Sequence, residues 1–205
     1  MINFHKALLK VNVDSKVLFK DAIVANVPNA YSFEEYSQSQ SYLLKLRYRV
    51  RARIIFWINN STLKKYEPGF NPHHLLKSEF RVDRHPLFHE AHVIHLHWVN
   101  GFFDWGIFRK YPNKKFVWTC HDMAPFSGGY YYELEKISNL YSSYHQLEKR
   151  KHKFVNGANL SLITPSRWMY NKASCSISMG DKRINHIPYC YEESVFYRRP
   201  SNDQV

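Results

Sequence analysis

Residues 115–122 read Lys-Phe-Val-Trp-Thr-Cys-His-Asp, in which a short apolar run at 115–120 is followed by two titratable side chains. An apolar run of this length is typical of a strand buried on both faces. Similar runs lie at residues 92–97 (His-Val-Ile-His-Leu-His), 160–164 (Leu-Ser-Leu-Ile-Thr) and 183–187, and helical patterns lie at 134–156 and 166–174. Because strands that alternate with helices pair in parallel through right-handed crossovers, the sequence predicts an α/β fold with a doubly wound, Rossmann-like parallel sheet.

The first sixty residues give a weaker pattern. We expect a short helix at residues 4–10, with Phe4, Leu8 and Leu9 on one face, and a strand at residues 15–20. From residue 31 to residue 60 the pattern predicts a helix in which aliphatic residues alternate with basic ones. Turn signals follow at Pro68-Gly69 and Asn71-Pro72.

Composition limits the class of protein. The 205 residues suit one domain of ordinary size or two small ones and are enough to bury a core. A content of 44% apolar and 22% charged residues excludes a disordered or fibrous chain. No apolar run reaches the roughly 18 residues of a transmembrane helix, and residues 1–10 do not resemble a secretory signal. Three cysteines without CxxC spacing predict neither a disulfide framework nor a zinc ribbon, which favours the cytoplasm.

The net charge of +12, with 17% aromatic residues, points to an anionic partner: a nucleic acid, a membrane surface or a phosphorylated small molecule. No RRM, KH or zinc-finger signature accompanies the charge, so a nucleic-acid partner is not predicted. No GxGxxG or GxxxxGK[ST] motif is present, and the sequence therefore gives no support for a dinucleotide site or a P-loop.

Polar side chains and glycines follow the predicted strands. In an open parallel sheet, ligands bind in the crevice outside the carboxyl ends of the strands, so these residues are the candidate ligand contacts. His97, Asn100 and Gly101 stand at the end of the run 92–97 or just after it. His121, Asp122, Ser127, Gly128 and Gly129 follow the run that begins at residue 115, and Ser166 and Arg167 follow the run 160–164.

Two of these groups have two interpretations each. His121 and Asp122 would serve proton transfer or hydrogen bonding to a sugar or phosphate, or they would only cap the next turn. The Ser127–Gly129 loop would let backbone N–H groups approach an anionic or sugar ligand, or it would be a plain turn.

The histidines raise the question of a metal. His95 and His97 share one face of their strand and, with a third ligand, would suit zinc. No carboxylate or cysteine at a metal-binding spacing accompanies them, so ordinary hydrogen-bonding histidines are favoured and no metal or cofactor is predicted.

Two basic stretches remain. Residues 149–153 (Lys-Arg-Lys-His-Lys) are typical of the solvated face of a helix. Residues 45–53, followed by the apolar run 54–58, would form either another solvated face or a helix that lies on an anionic membrane. The basic residues of that second stretch are Lys45, Arg47, Arg49, Arg51 and Arg53.

The strand ends resemble a known family. Residues 91–101 (Ala-His-Val-Ile-His-Leu-His-Trp-Val-Asn-Gly), 117–123 (Val-Trp-Thr-Cys-His-Asp-Met) and 125–129 (Pro-Phe-Ser-Gly-Gly) are similar to the N-terminal domain of bacterial group 1 (family 4) glycosyltransferases. The resemblance continues in residues 162–168 and 184–188, and the blocks stand in the same order as in the family.

The resemblance implies a GT-B enzyme of cell-surface polysaccharide synthesis, located in the cytoplasm at the inner face of the plasma membrane. Such enzymes transfer a sugar from a nucleotide sugar to a glycan or lipid-linked acceptor with retention and without a metal. By position, His121 would contact the transferring sugar, and Asp122 and the Ser127–Gly129 loop would shape the acceptor side. Ser166 and Arg167 would lie near the donor phosphates.

The domain organisation follows from the same resemblance. We expect residues 1–190 to form the acceptor-side domain and residues 191–205 to begin an interdomain linker. The family's first strand and its donor-binding C-terminal domain have no counterpart in the sequence. We therefore expect an incomplete enzyme, with an exposed edge or a gap in its sheet. The alternative is a non-catalytic basic module that binds an anionic glycan or a membrane surface.

Overall fold

The computed structural model describes residues 1–21, 26–66, 68, 75–133 and 140–189, which form an α/β structure with two parallel sheets. The strands are β1 (Val17–Phe19), β2 (Ala30–Ser32), β3 (Val93–Leu96), β4 (Lys115–Thr119), β5 (Leu160–Thr164) and β6 (Arg183–His186). The α-helices are α1 (Ile2–Lys10), α2 (Phe33–Ser39), α3 (Tyr42–Leu63), α4 (Pro86–Glu90), α5 (Gly106–Lys110), α6 (Tyr141–Val155) and α7 (Arg167–Ser174), and a short 3₁₀ helix spans Val82–Arg84.

The larger sheet has four parallel strands in the order β3-β4-β5-β6. All four runs predicted in this part of the chain are strands, and their bounds are confirmed to within one residue. Strand β4 lies inside the sheet, with Phe116 and Trp118 almost fully covered. The core beneath it is aromatic: Trp105 packs edge-on against Trp118, and Phe108 of α5 packs edge-on against Phe116.

The strand order follows the chain from β3 to β6. Right-handed crossovers in such an order place α5, α6 and α7 on one face of the sheet, and α5 and α6 do pack together. The reversal of direction that defines a doubly wound sheet does not occur within these four strands. Strands β1 and β2 pair in parallel as a separate two-stranded sheet.

The prediction of one helix from residue 31 to residue 60 is wrong in its first part. Tyr31 pairs with Leu18 in the small sheet, and the Ser32 hydroxyl then accepts a hydrogen bond from the N–H of Glu35 and caps α2. The backbone is extended at Gln40 before α3 begins. The predicted strand 15–20 and helix 4–10 are confirmed with adjusted bounds, as β1 and α1.

Some expectations lie outside the described residues. They are the start of the helix predicted at 134–156, the turn signals at Gly69 and Asn71-Pro72, and the linker at 191–205. Among the helices that the structure describes, none is both long enough and apolar enough to cross a membrane.

Candidate functional site

Two of the predicted site residues meet at the carboxyl edge of the large sheet. His97 follows β3 and His121 follows β4, and because these strands are neighbours their imidazoles come together. His97 Nδ1 lies 3.0 Å from His121 Nε2, a hydrogen-bonding distance. His121 Nδ1 lies 2.7 Å from the hydroxyl of Tyr189. The three side chains therefore form a continuous hydrogen-bonded chain at this edge.

The proton positions in this chain are constrained. Either Tyr189 donates to His121 Nδ1 and His121 Nε2–H donates to His97, or both hydrogen bonds run the opposite way. Each arrangement has neutral imidazoles, in keeping with their environment. Burial lowers the pKa of His121, and burial with the neighbouring imidazoles lowers that of His97 to about 3. Such a chain can move a proton between its two ends.

The rings of two aromatic residues lie nearly parallel to that of His121. Trp98 stacks on it with centroids 5.4 Å apart and planes 10° apart, and Tyr189, whose hydroxyl reaches Nδ1, has its centroid 5.6 Å away and its plane 17° from that of the imidazole. Trp98 has a left-handed backbone conformation (φ 46°) and is 64% exposed, so its outer face is open to solvent. A non-glycine residue at positive φ carries strain that its surroundings must hold in place. The strain here accompanies an exposed aromatic surface.

Trp98 and Tyr189 were not among the predicted contacts. The sequence does carry a signal for Trp98, a large aromatic residue directly after a buried strand. Tyr189 carries none, because its position depends on how the chain returns after β6. There the Ile187 N–H donates to the carbonyl of Thr164, and the segment crosses the end of β5 to reach His121.

His95 lies next to this chain, in contact with the ring of His97. Its Nε2 lies 2.8 Å from the hydroxyl of Thr119 on β4, and its ring packs 4.2 Å from that of His97. Phe4 of α1 packs edge-on against it. Burial lowers the pKa of His95 to about 4, so this imidazole is neutral near pH 7. Within the described ranges, no three His, Cys, Asp or Glu side chains are grouped so that they could hold a metal ion.

Asp122 is turned inward. Its side chain is buried, and its Oδ1 accepts a hydrogen bond of 2.8 Å from the N–H of Ala124. This is the geometry of a carboxylate that caps a turn, the second of the two interpretations open for this residue. Asp122 also lines a cleft beside His121 that has a volume of about 10 Å³. That volume is about what a single water molecule needs, so the cleft holds no ligand without movement of its walls.

The Ser127–Gly129 loop is buried rather than open to a ligand. The Ser127 hydroxyl donates to the carbonyl of Tyr130 and accepts from the N–H of Gly129. A Cβ atom on Gly128 would lie 2.4 Å from the backbone carbonyl oxygen of Tyr144 on α6. The lack of a side chain at Gly128 thus serves the close packing of loop against helix.

Lys151 of α6 binds the backbone of this loop. The prediction that residues 149–153 form a solvated face is therefore wrong for Lys151. Its side chain is fully buried, and Nζ donates to the carbonyls of Ala124 and, at 2.8 Å, Ser127. It also lies over the ring of Trp105. Burial lowers the pKa of Lys151 to about 7. The sequence contained the signal, because Tyr144, Leu147, Lys151 and Val155 follow one another at helical spacing on the buried face of α6.

The remaining predicted contacts lie at the same edge but apart from the histidine chain. Asn100 and Gly101 are exposed in a turn in which the Phe102 N–H donates to the carbonyl of Val99. Gly101 has a φ of 68°, a conformation that favours glycine. The Ser166 hydroxyl caps α7 by accepting from the N–H of Met169, and Arg167 is exposed in the first turn.

Comparison with known proteins adds no relative. No family model matches the chain, no curated protein matches it significantly, and neither does any solved structure.

Proposed function

We propose that this chain is the acceptor-side domain of a GT-B glycosyltransferase, retaining and metal-independent, that uses a nucleotide sugar. The observation that carries the proposal is the stack of Trp98, His121 and Tyr189 at the carboxyl edge of the parallel sheet. Sugars present apolar ring faces together with hydroxyl groups. A site with an exposed aromatic face and imidazole hydrogen-bonding groups supplies a partner for each.

The proposed reaction assigns a role to each group. The bond between the anomeric carbon and the donor phosphate oxygen breaks, and the acceptor hydroxyl oxygen bonds to that carbon while its proton leaves with the phosphate. His121 hydrogen-bonds to the transferring sugar after Tyr189 moves aside, and His97 keeps His121 in one tautomer. Arg167, in the first turn of α7, offsets charge on the donor phosphates. Asp122, Ser127, Gly128 and Gly129 act by fixing the loop after β4.

The test is to add short glycans to the full chain and to measure their binding by the changes in NMR chemical shift of labelled histidine and tryptophan side chains. We expect shifts at His97, Trp98 and His121. We expect His121→Phe, which keeps a ring stacked on Trp98 but removes both nitrogens, to weaken binding at least tenfold. The matched control is His92→Phe, because His92 is exposed at the opposite end of β3. Equal binding by the His121 and His92 variants would contradict the role of His121.

A second function is favoured by helix α3, which packs on the protein through a side that carries the buried Ile55 together with Arg51 and Asn59. Arg51 donates to the carbonyls of Ser78 and Glu79 and pairs with Asp104 at 3.1 Å, and Asn59 donates to the carbonyl of Lys77. The opposite side carries an exposed apolar stripe at helical spacing, formed by Leu43, Leu46, Val50, Ile54, Trp57 and Ile58. Arg47, Arg49 and Arg53 are exposed beside it.

We propose that this stripe, with its arginines, lies on an anionic membrane surface. An apolar helix face flanked by basic residues binds at the headgroup level, and each basic residue contributes about 1 kcal/mol near an anionic leaflet. Arg51 of the predicted basic stretch belongs instead to the contact with Asp104. It is left unchanged in the test.

We expect the chain to bind vesicles that contain phosphatidylserine and to bind neutral vesicles far less. Replacing Arg47, Arg49 and Arg53 by glutamine should weaken this binding about 100-fold, and added salt should weaken it as well. The control replaces Lys149 and Lys153, two exposed lysines of α6, by glutamine. Equal binding to neutral and anionic vesicles would remove the proposal, and binding to a soluble polyanionic glycan alone would favour a glycan partner instead.

A further inference from the structure

A groove of about 680 Å³ separates the two parallel sheets. Residues 13–18, which include the first two residues of β1, line one side, and residues 90–97, which include β3, line the other. Apolar side chains of α1 and of Phe88, Phe102 and Phe103 also line the groove. Val93 of β3 is 50% exposed here, whereas Phe116 and Trp118 on the neighbouring β4 are 1% exposed. One edge of the large sheet is thus uncovered.

The two strands that border the groove run in the same direction. Lys16 stands directly before β1 and Glu90 stands just before β3, and the two side chains form an ion pair of 3.1 Å. Both strands therefore begin at the same end of the groove. Strand β1 pairs with β2 on its far side, and β3 pairs with β4 on its far side, so each presents its other edge to the groove.

The backbone groups on these edges can be assigned. In a parallel ladder, the main-chain groups of alternate residues point to opposite sides. The N–H of Val17 donates to Asn29 beside β2, which turns the N–H and C=O of Leu18 toward the groove. On β4 the N–H of Phe116 points to β5, so Val117 faces β3. Because Val117 is in register with His95, the main-chain groups of His95 also turn toward the groove.

We propose that the groove binds an extended apolar β-strand of a partner polypeptide, paired in parallel with both β1 and β3. Two sheet edges with the same direction are a template for one strand between them. The strands β1 to β6 are already paired, so a second copy of the described residues has no free strand to insert. A strand in this position is covered on both faces, which requires a nearly continuous apolar run in the partner.

Binding of such a strand would join the two sheets. The order becomes β2-β1-partner-β3-β4-β5-β6, one parallel sheet in which the direction of the chain reverses at the inserted strand. Ligand crevices of open α/β sheets lie at this reversal, outside the carboxyl ends of the strands. The partner strand would end next to His97, which also lines the groove. The inference rests on the groove alone and does not require the proposed transferase activity.

The probe is a synthetic peptide of five consecutive Val and Ile residues with two lysines at each end. We expect it to slow amide hydrogen exchange at Leu18 and His95. The amide of Val17, already bonded to Asn29, should change far less. A matched peptide with proline at the central position has two changes, because it lacks one N–H and has a fixed φ. We expect that peptide to bind at least tenfold more weakly.

A pair of variants locates the binding site. Val93→Lys places a charge in the groove and should weaken peptide binding at least tenfold. Ile177→Lys, at an isoleucine between α7 and β6 that is 41% exposed and does not line the groove, should leave it unchanged. Three results would overturn the proposal. The peptide would fail to slow amide hydrogen exchange at Leu18 and His95, or the proline peptide would bind as tightly as the Val/Ile peptide, or the chain would self-associate and Val93→Lys would abolish that self-association. The last result would make a second copy the occupant.

Discussion

Replacing Lys151 by alanine is expected to lower the free energy of unfolding by about 4 kcal/mol. The side chain is fully buried, and it supplies donors to the carbonyls of Ala124 and Ser127. Alanine leaves both carbonyls without this donor and leaves a cavity in place of three methylene groups and of the ammonium group that lies over the ring of Trp105. The loss is measured by urea unfolding at pH 7.

Two further variants identify the cause of the loss. Lys153→Ala, at an exposed lysine of the same helix, should change the free energy of unfolding by less than about 0.5 kcal/mol. Lys151→Met keeps most of the volume but not the donors, and should cost about 2 kcal/mol. If the alanine variants at 151 and 153 were equally stable, the loop after β4 would not depend on Lys151.

The strands of the large sheet could be predicted because a buried strand is specified locally. Runs such as Phe116 to Thr119 combine β-branched and aromatic residues over the length of one strand, and burial on both faces removes the need for alternation. The meeting of His97 with His121 follows from the same pattern, since each stands at the end of its strand. Parallel pairing brings these ends together.

The orientation of α3 could not be predicted, because its stripe would suit a core as well as a surface. An apolar stripe normally faces the core. Here Arg51 pairs with the buried Asp104 and donates to two backbone carbonyls, and the side of α3 that carries Arg51 and the buried Ile55 therefore faces the protein. Asp104 lies more than fifty residues further along the chain, so local spacing carries no information about this contact.

The functions of the loop after β4 show a different limit. Ser127, Gly128 and Gly129 have the composition of a ligand-binding loop, but Gly128 is needed where Tyr144 of α6 approaches the backbone. Asp122 likewise caps a turn. The glycines indicate that the backbone of this loop lies in close contact with another group. Only tertiary structure distinguishes a ligand from a helix.

Acidification from pH 6.5 to pH 4 is expected to destabilise the protein through His95. Burial lowers the pKa of this imidazole to about 4 in the folded state, while the unfolded chain keeps the usual value near 6.5. Between these values the unfolded state binds the proton and the folded state does not, so stability falls as the pH falls. A pKa difference of this size corresponds to at most about 3 kcal/mol, and partial exposure of the ring reduces it toward about 2 kcal/mol.

The measurement is the free energy of unfolding at pH 6.5 and at pH 4, in the native chain and in His95→Gln. Glutamine keeps a hydrogen-bonding group near Thr119 but does not titrate, so the fall between the two pH values should shrink by about 2 kcal/mol. His92→Gln, at an exposed histidine before the same strand, should leave the fall unchanged. The carboxylate of Asp83, whose pKa is held low by Arg81 and Lys110 despite its burial, gives up its stabilisation mainly below pH 4. A fall of equal size in the His95 and His92 variants would therefore assign the acid sensitivity to groups other than His95.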